Sequence, residues 1–148
     1  MVEIYTGKAE GLRHIAEHWE KEYNDFGFEM TMAEHLADLQ DMIDSDNKDV
    51  LVLGDPPVGY IGMTTFKNPM GDGLFANEHY WYIIPKRRSG GGALRLMRAA
   101  QEWAVNKGCD YLLMTASKLA SGLHDNVCKL YIKTGFEHFE TTYIKRVR

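Results

Sequence analysis

Pro85-Lys86-Arg87-Arg88-Ser89-Gly90-Gly91-Gly92-Ala93 follows the apolar run Tyr80-Trp81-Tyr82-Ile83-Ile84 and opens a helical pattern from Leu94 to Lys107. The reading is strand, glycine-rich turn, helix. The first turn of a helix has backbone N–H groups without intrahelical partners and carries the positive end of the helix dipole, so phosphate oxygens bind there. Consecutive glycines let the backbone approach a ligand closely, and Lys86, Arg87 and Arg88 place positive charge beside it.

The surrounding residues narrow the choice of phosphate ligand. A nucleotide-binding P-loop ends in Gly-Lys-Ser/Thr, whereas Gly91-Gly92-Ala93 runs into Leu94. A dinucleotide fingerprint places its glycines after the first strand of a βαβ unit and an acid after the next strand, but the following strand ends Met114-Thr115-Ala116-Ser117. Both readings fail.

Working outward, Val2 to Tyr5 reads as a first strand. Leu12, Ile15, Trp19, Tyr23 and Phe26 recur at helical spacing between Lys8 and Phe26, with Gly27 as the stop. Thr31 and Glu34 form a capping box ahead of the stripe Met32, Leu36, Leu39 and Ile43. Val50–Leu53 and Val58–Phe66 read as an antiparallel hairpin around Gly54-Asp55-Pro56-Pro57, and another strand ends at Ile84. In the helix after the glycine loop, Leu96, Met97, Ala100, Trp103 and Ala104 face inward. Tyr111–Thr115 reads as a buried strand, Leu123–Thr134 as a helix closed by Gly135, and residues 136–147 as one or two terminal strands. The order is βααβββαβαβ with room for one more strand: a mixed α/β (α+β) domain over residues 1–148.

The glycine loop resembles motif A of the GCN5-related N-acetyltransferases, Gln/Arg-x-x-Gly-x-Gly/Ala after a strand ending in an apolar-x-Pro step. Two registers fit, Arg87-x-x-Gly90-x-Gly92 and Arg88-x-x-Gly91-x-Ala93, and the family's distance from proline to arginine favours the second. Leu130-Tyr131-Ile132-Lys133-Thr134-Gly135-Phe136 is similar to the family's motif B ending, Leu-Tyr-x-Lys-x-Gly-Phe. The resemblance implies a mixed central sheet of six to seven strands flanked by four helices. Its central parallel pair would splay to admit the pantetheine arm of acetyl-CoA, the co-substrate, with no metal.

The same resemblance implies roles. Ile83, Ile84, Arg87, Arg88, Ser89, Gly90, Gly91, Gly92 and Ala93 would hold coenzyme A, largely through backbone groups. Tyr131 would protonate the departing thiolate, since a phenol with a pKa near 10 is protonated at neutral pH; the alternative is an aromatic packed on the core. Glu78 and His79 precede the strand that presents the thioester, and one of them would serve as the base. Alternation puts Glu78, Tyr80 and Tyr82 on one face and His79, Trp81 and Ile83 on the other, which favours Glu78. Seven residues before Tyr131, where relatives carry Asn, stands His124, with Asn126 nearby. Either His124 substitutes as a cofactor contact or it only begins a helix. The loop Asn24–Met30, with two rings and two acids, would suit a cationic amine, or else its rings staple the first two helices together.

Length and composition bound the rest. The chain has 148 residues, 45% hydrophobic and 26% charged, an ordinary globular composition for one domain. The first residues carry no basic region followed by an apolar stretch, and no apolar run approaches a membrane span, so a cytoplasmic protein is expected. Cys109 and Cys128 are too few for a disulfide framework. A net charge of −4 argues against wrapping nucleic acid, and so against a toxin-like enzyme acting on aminoacyl-tRNA. The expected activity is acetyl transfer to a primary amine on a small molecule, peptide or protein; the alternative is an acyl-CoA-binding module without turnover. The strand-like stretch Thr141–Val147 offers an edge that could pair across subunits of a homodimer, although the sequence does not fix the oligomeric state.

Overall fold

Val50, Leu51, Val52 and Leu53 are all buried, although neighbouring strand residues point to opposite faces. A strand of this kind requires cover on both sides, and the sheet has it. The computed structural model describes residues 1–148. Its elements are β1 (Val2–Ile4), α1 (Arg13–Glu22), α2 (Met32–Asp44), β2 (Lys48–Leu53), β3 (Gly59–Lys67), β4 (Leu74–Ile83), α3 (Gly92–Asn106), β5 (Tyr111–Leu113) and α4 (Ser121–Lys133). Single 3-10 turns precede α1, α3 and α4. Sheet order follows chain order, with every pair antiparallel except β4 and β5.

Two apolar layers sandwich the sheet. On one face Leu12 and Ile15, with Leu36 and Leu39 of α2, pack on Val50, Val52, Tyr60 and Tyr82. On the other, Leu96, Ala100 and Trp103 of α3 pack on Leu51, Leu53, Ile61 and Ile83. The five α3 positions expected to face inward are all buried. Trp103 donates its indole N–H to Asp49 at 2.8 Å, fastening the far end of α3 to β2.

Several expectations are corrected. The sheet has five strands, not six or seven, because residues 136–148 form none: Phe139, Tyr143 and Val147 are 68, 90 and 84% exposed and pair with no neighbour. The apolar alternation there is real, but it has no partner within the chain. β5 stops at Leu113, and its Tyr111 is exposed rather than buried. The first long helix ends at Glu22 instead of Phe26. Asn24 captures the Phe28 backbone in both directions, at 2.6 and 2.9 Å, and Asp25 N–H donates to Leu119. Thr31 starts α2 as expected, but its side chain makes no capping hydrogen bond.

Candidate functional site

β4 positions the site, and an irregularity in it decides what points where. Gly62 of β3 pairs with Tyr80, while the next residue, Met63, pairs with Glu78, so His79 is the extra residue of a β-bulge. Strict alternation is broken. Glu78 opposite Met63 shares a face with Trp81 opposite Ile61, whereas Tyr80 and Tyr82 face α1 and α2. The expected grouping of Glu78 with Tyr80 and Tyr82 is therefore corrected, and both Glu78 and His79 line the same cleft.

This cleft of about 190 Å³ lies where β4 and β5 part. The two strands pair only over Phe75–Asn77 and Tyr111–Leu113; beyond Asn77 the edge of β4 has no strand beside it. Trp19 and Tyr23 of α1, Glu78 to Trp81 of β4, Thr115 to Ser117, and Leu123, His124 and Val127 of α4 line the opening. Ile84 N–H donates to Val58 at 3.0 Å. Strand alternation then turns the Ile83 backbone toward the open edge, and Ile83 C=O accepts the Arg88 Nε–H there at 3.0 Å.

Glu78 is half-buried and accepts the Thr115 N–H at 3.1 Å. Burial pushes its carboxyl up to about 7, against the opposing pull of that N–H. Thr115 also accepts, through its C=O, the Tyr131 hydroxyl at 2.8 Å. Tyr131 is buried and stacked on Trp81 with centroids 5.9 Å apart; burial and the Glu78 charge raise its pKa, so it stays a protonated donor. His79 Nε2 lies 3.1 Å from Asp38 Oδ2, which also accepts the Tyr80 hydroxyl. Asp38 thereby fixes the ring and leaves Nδ1 as the other nitrogen. His124, in the first turn of α4, contacts Asp125 at 3.2 Å and lines the cleft; Asn126 is exposed and does not.

The glycine loop sits at the other end of the opening. Gly90 and Gly91 have φ of 92° and 80°, conformations that favour glycine, and a Cβ on either would project into open space. The N–H groups of Ser89, Gly90 and Gly91 make no protein hydrogen bond, and α3 begins at Gly92 with the unpaired N–H groups of its first turn. Donors converging on open space fit a diphosphate. Arg88 does not reach into that space. Its guanidinium grips Glu22 of α1 with two hydrogen bonds and lies 5.1 Å from the Tyr82 ring centroid, so it braces the loop; Arg87 is exposed.

Residues with no separate signal in the sequence complete the site. Trp19 and Tyr23 read as one helical stripe, and nothing marked Asp38 or Glu22 as partners of residues 41 and 66 positions away. The loop Asn24–Met30 does not line the cleft: Phe26 and Phe28 stack on each other at 5.9 Å, and Asp25 caps the start of α4 by accepting the Ser121 N–H at 2.9 Å.

The sequence profile of the Acetyltransferase (GNAT) family matches residues 12–136. No curated protein matches the chain by sequence. Among solved structures, the aminoglycoside acetyltransferase AAC(6')-Iy, in complex with the bisubstrate analog CoA-S-monomethyl-acetylneamine, superimposes with a TM-score of 0.73 at 20% identity, over 100% of this chain and 99% of that one. A ribosomal-protein-alanine N-acetyltransferase from Brucella melitensis biovar Abortus 2308 gives 0.75 at 13% identity, over 99% of each chain. The aminoglycoside acetyltransferase meta-AAC0020, from an uncultured soil metagenomic sample in complex with sisomicin, gives 0.71 at 16%, over 99 and 97%. At these identities the likeness establishes the fold.

Proposed function

The chain belongs to the GNAT acetyltransferase family, and on that premise we propose that it moves the acetyl group of acetyl-CoA to a primary amine by direct attack in a ternary complex. The observation that carries the reading is the coincidence of two features on one edge: the loop with free N–H groups, and the gap between β4 and β5. Solved relatives of this fold bind CoA or a CoA analog, in keeping with the donor.

In this mechanism Ser89 to Ala93 hold the diphosphate through backbone N–H groups, while Arg88, tied to Glu22, keeps the loop in shape. Ile83 offers its backbone to the pantetheine and thioester, and the Ile84 N–H, committed to Val58, holds the strand end. Glu78 takes a proton from the acceptor ammonium, directly or through water; a base with a pKa near working pH suits that task. His79, oriented by Asp38, is the second group able to receive it. As the N–C bond forms and the C–S bond breaks, Tyr131 gives its proton to the sulfur and turns from Thr115 C=O to do so. His124 contacts the donor from α4, and Asn126, exposed, contributes at most at the rim.

Isothermal calorimetry with acetyl-CoA, alongside thiol release in the presence of an amine panel, tests this. Binding with turnover is expected. Binding without turnover for any amine would leave a non-catalytic module, and no binding at millimolar acetyl-CoA would sink the reading.

A further inference from the structure

Aromatic rings and one carboxyl group, Glu78, line the cleft. Trp19 stands edge-on to Tyr80 with centroids 5.6 Å apart, and stacks on Tyr23 at 5.7 Å and on His35 at 4.7 Å. Trp81 adds a ring from the opposite sheet face. Glu78 reaches the cleft, and Asp38 lies beside its His79 and Tyr80. No lysine or arginine lines the opening, and Arg88 is neutralised by Glu22. Aromatic rings with a carboxylate attract a cation, while a carboxylate entering the same space would meet the like charge of Glu78, with the imidazoles of His79 and His124 as the only basic side chains there. The space, about 190 Å³, is smaller than the roughly 300–1,000 Å³ of most small-molecule sites and must also take the thioester end of the donor, so what remains admits only a slim group.

Resting on the acetyl-transfer reading above, we infer that the acceptor is an arylalkylamine: a primary ammonium on a short apolar arm ending in a flat ring, with no carboxylate next to the nitrogen. The ring packs beside the cleft-lining edges of Trp19, Tyr80 and Trp81, and the ammonium is directed to Glu78. One ammonium proton leaves through Glu78 and a second restores the proton that Tyr131 gives to sulfur, so the products are the N-acetyl amide, free thiol and one released proton. An amino acid of the same shape is disfavoured by its carboxylate.

Tryptamine and tryptophan differ only in that carboxylate, and acetyl-CoA-dependent thiol release compares them directly. Tryptamine is expected to show kcat/KM at least about tenfold higher. Trp19→Leu should raise the tryptamine KM about tenfold, Trp19→Phe much less, with acetyl-CoA affinity by calorimetry unchanged in both; that affinity also reports whether each variant is folded. Equal use of tryptophan, or no acetylation of tryptamine by protein that binds acetyl-CoA, overturns the acceptor class and leaves acetyl transfer standing. Failure of the parent protein to bind acetyl-CoA removes both.

Discussion

Glu78 carries opposite consequences for rate and for stability. Its carboxyl, raised from 4.5 to about 7 by burial, must lose its proton to act as a base, so kcat/KM should rise with pH through about 7 and then level. The fold, by contrast, favours the protonated form. A carboxyl whose folded pKa lies above its unfolded value stabilises most below the unfolded value, and that contribution is lost as pH rises from about 4.5 through about 7. Glu78→Gln is therefore expected to cost roughly 10²- to 10⁴-fold in kcat, erase the ascending limb, and melt with a flatter pH dependence across that window. An unchanged limb in the Gln variant would move the base to His79. Tyr131→Phe removes the acid and the bond to Thr115 C=O; a loss of roughly 10²-fold in kcat with acetyl-CoA affinity preserved is expected from single-turnover kinetics. A loss of affinity instead would make Tyr131 a packing residue.

At the scale of elements, the glycine loop was legible because its physics is local: a strand, glycines and a helix start are adjacent in sequence, and α3 begins within two residues of its expected position. Gly91 caps α3 with φ of 80°, so Gly91→Val should cost about 1–2 kcal/mol of strain. The same variant should weaken acetyl-CoA binding far more than thermal stability alone explains, as calorimetry and melting curves on one sample would show. The bulge at His79 was not legible, since a period of two is blind to one extra residue until the partner strand is known. For the same reason the brace between Arg88 and Glu22 was hidden: the guanidinium expected beside the phosphates holds α1 to the loop. Terminal strands were expected from alternation alone, and alternation does not supply a partner.

Across the whole molecule, the sheet is clamped by two cores that meet only through its strands. Leu39, on the fully buried face of α2, belongs to the core that also holds Tyr60 and Tyr82; Leu39→Ala should cost roughly 2–5 kcal/mol in denaturant unfolding. A loss under 1 kcal/mol would mean that α2 is not seated as described. Both cores border the parting of β4 and β5, through Trp19 and Tyr80 on one side and Trp81 on the other, and there the Ile83 amide has no strand opposite. That vacancy makes the amide a reporter. In deuterated buffer it should exchange early, alongside surface loops, although Ile83 itself is 5% exposed and the next amide, that of Ile84, is bonded to Val58. Saturating acetyl-CoA should slow it by orders of magnitude while the amides of β2, already paired on both sides, keep their pace.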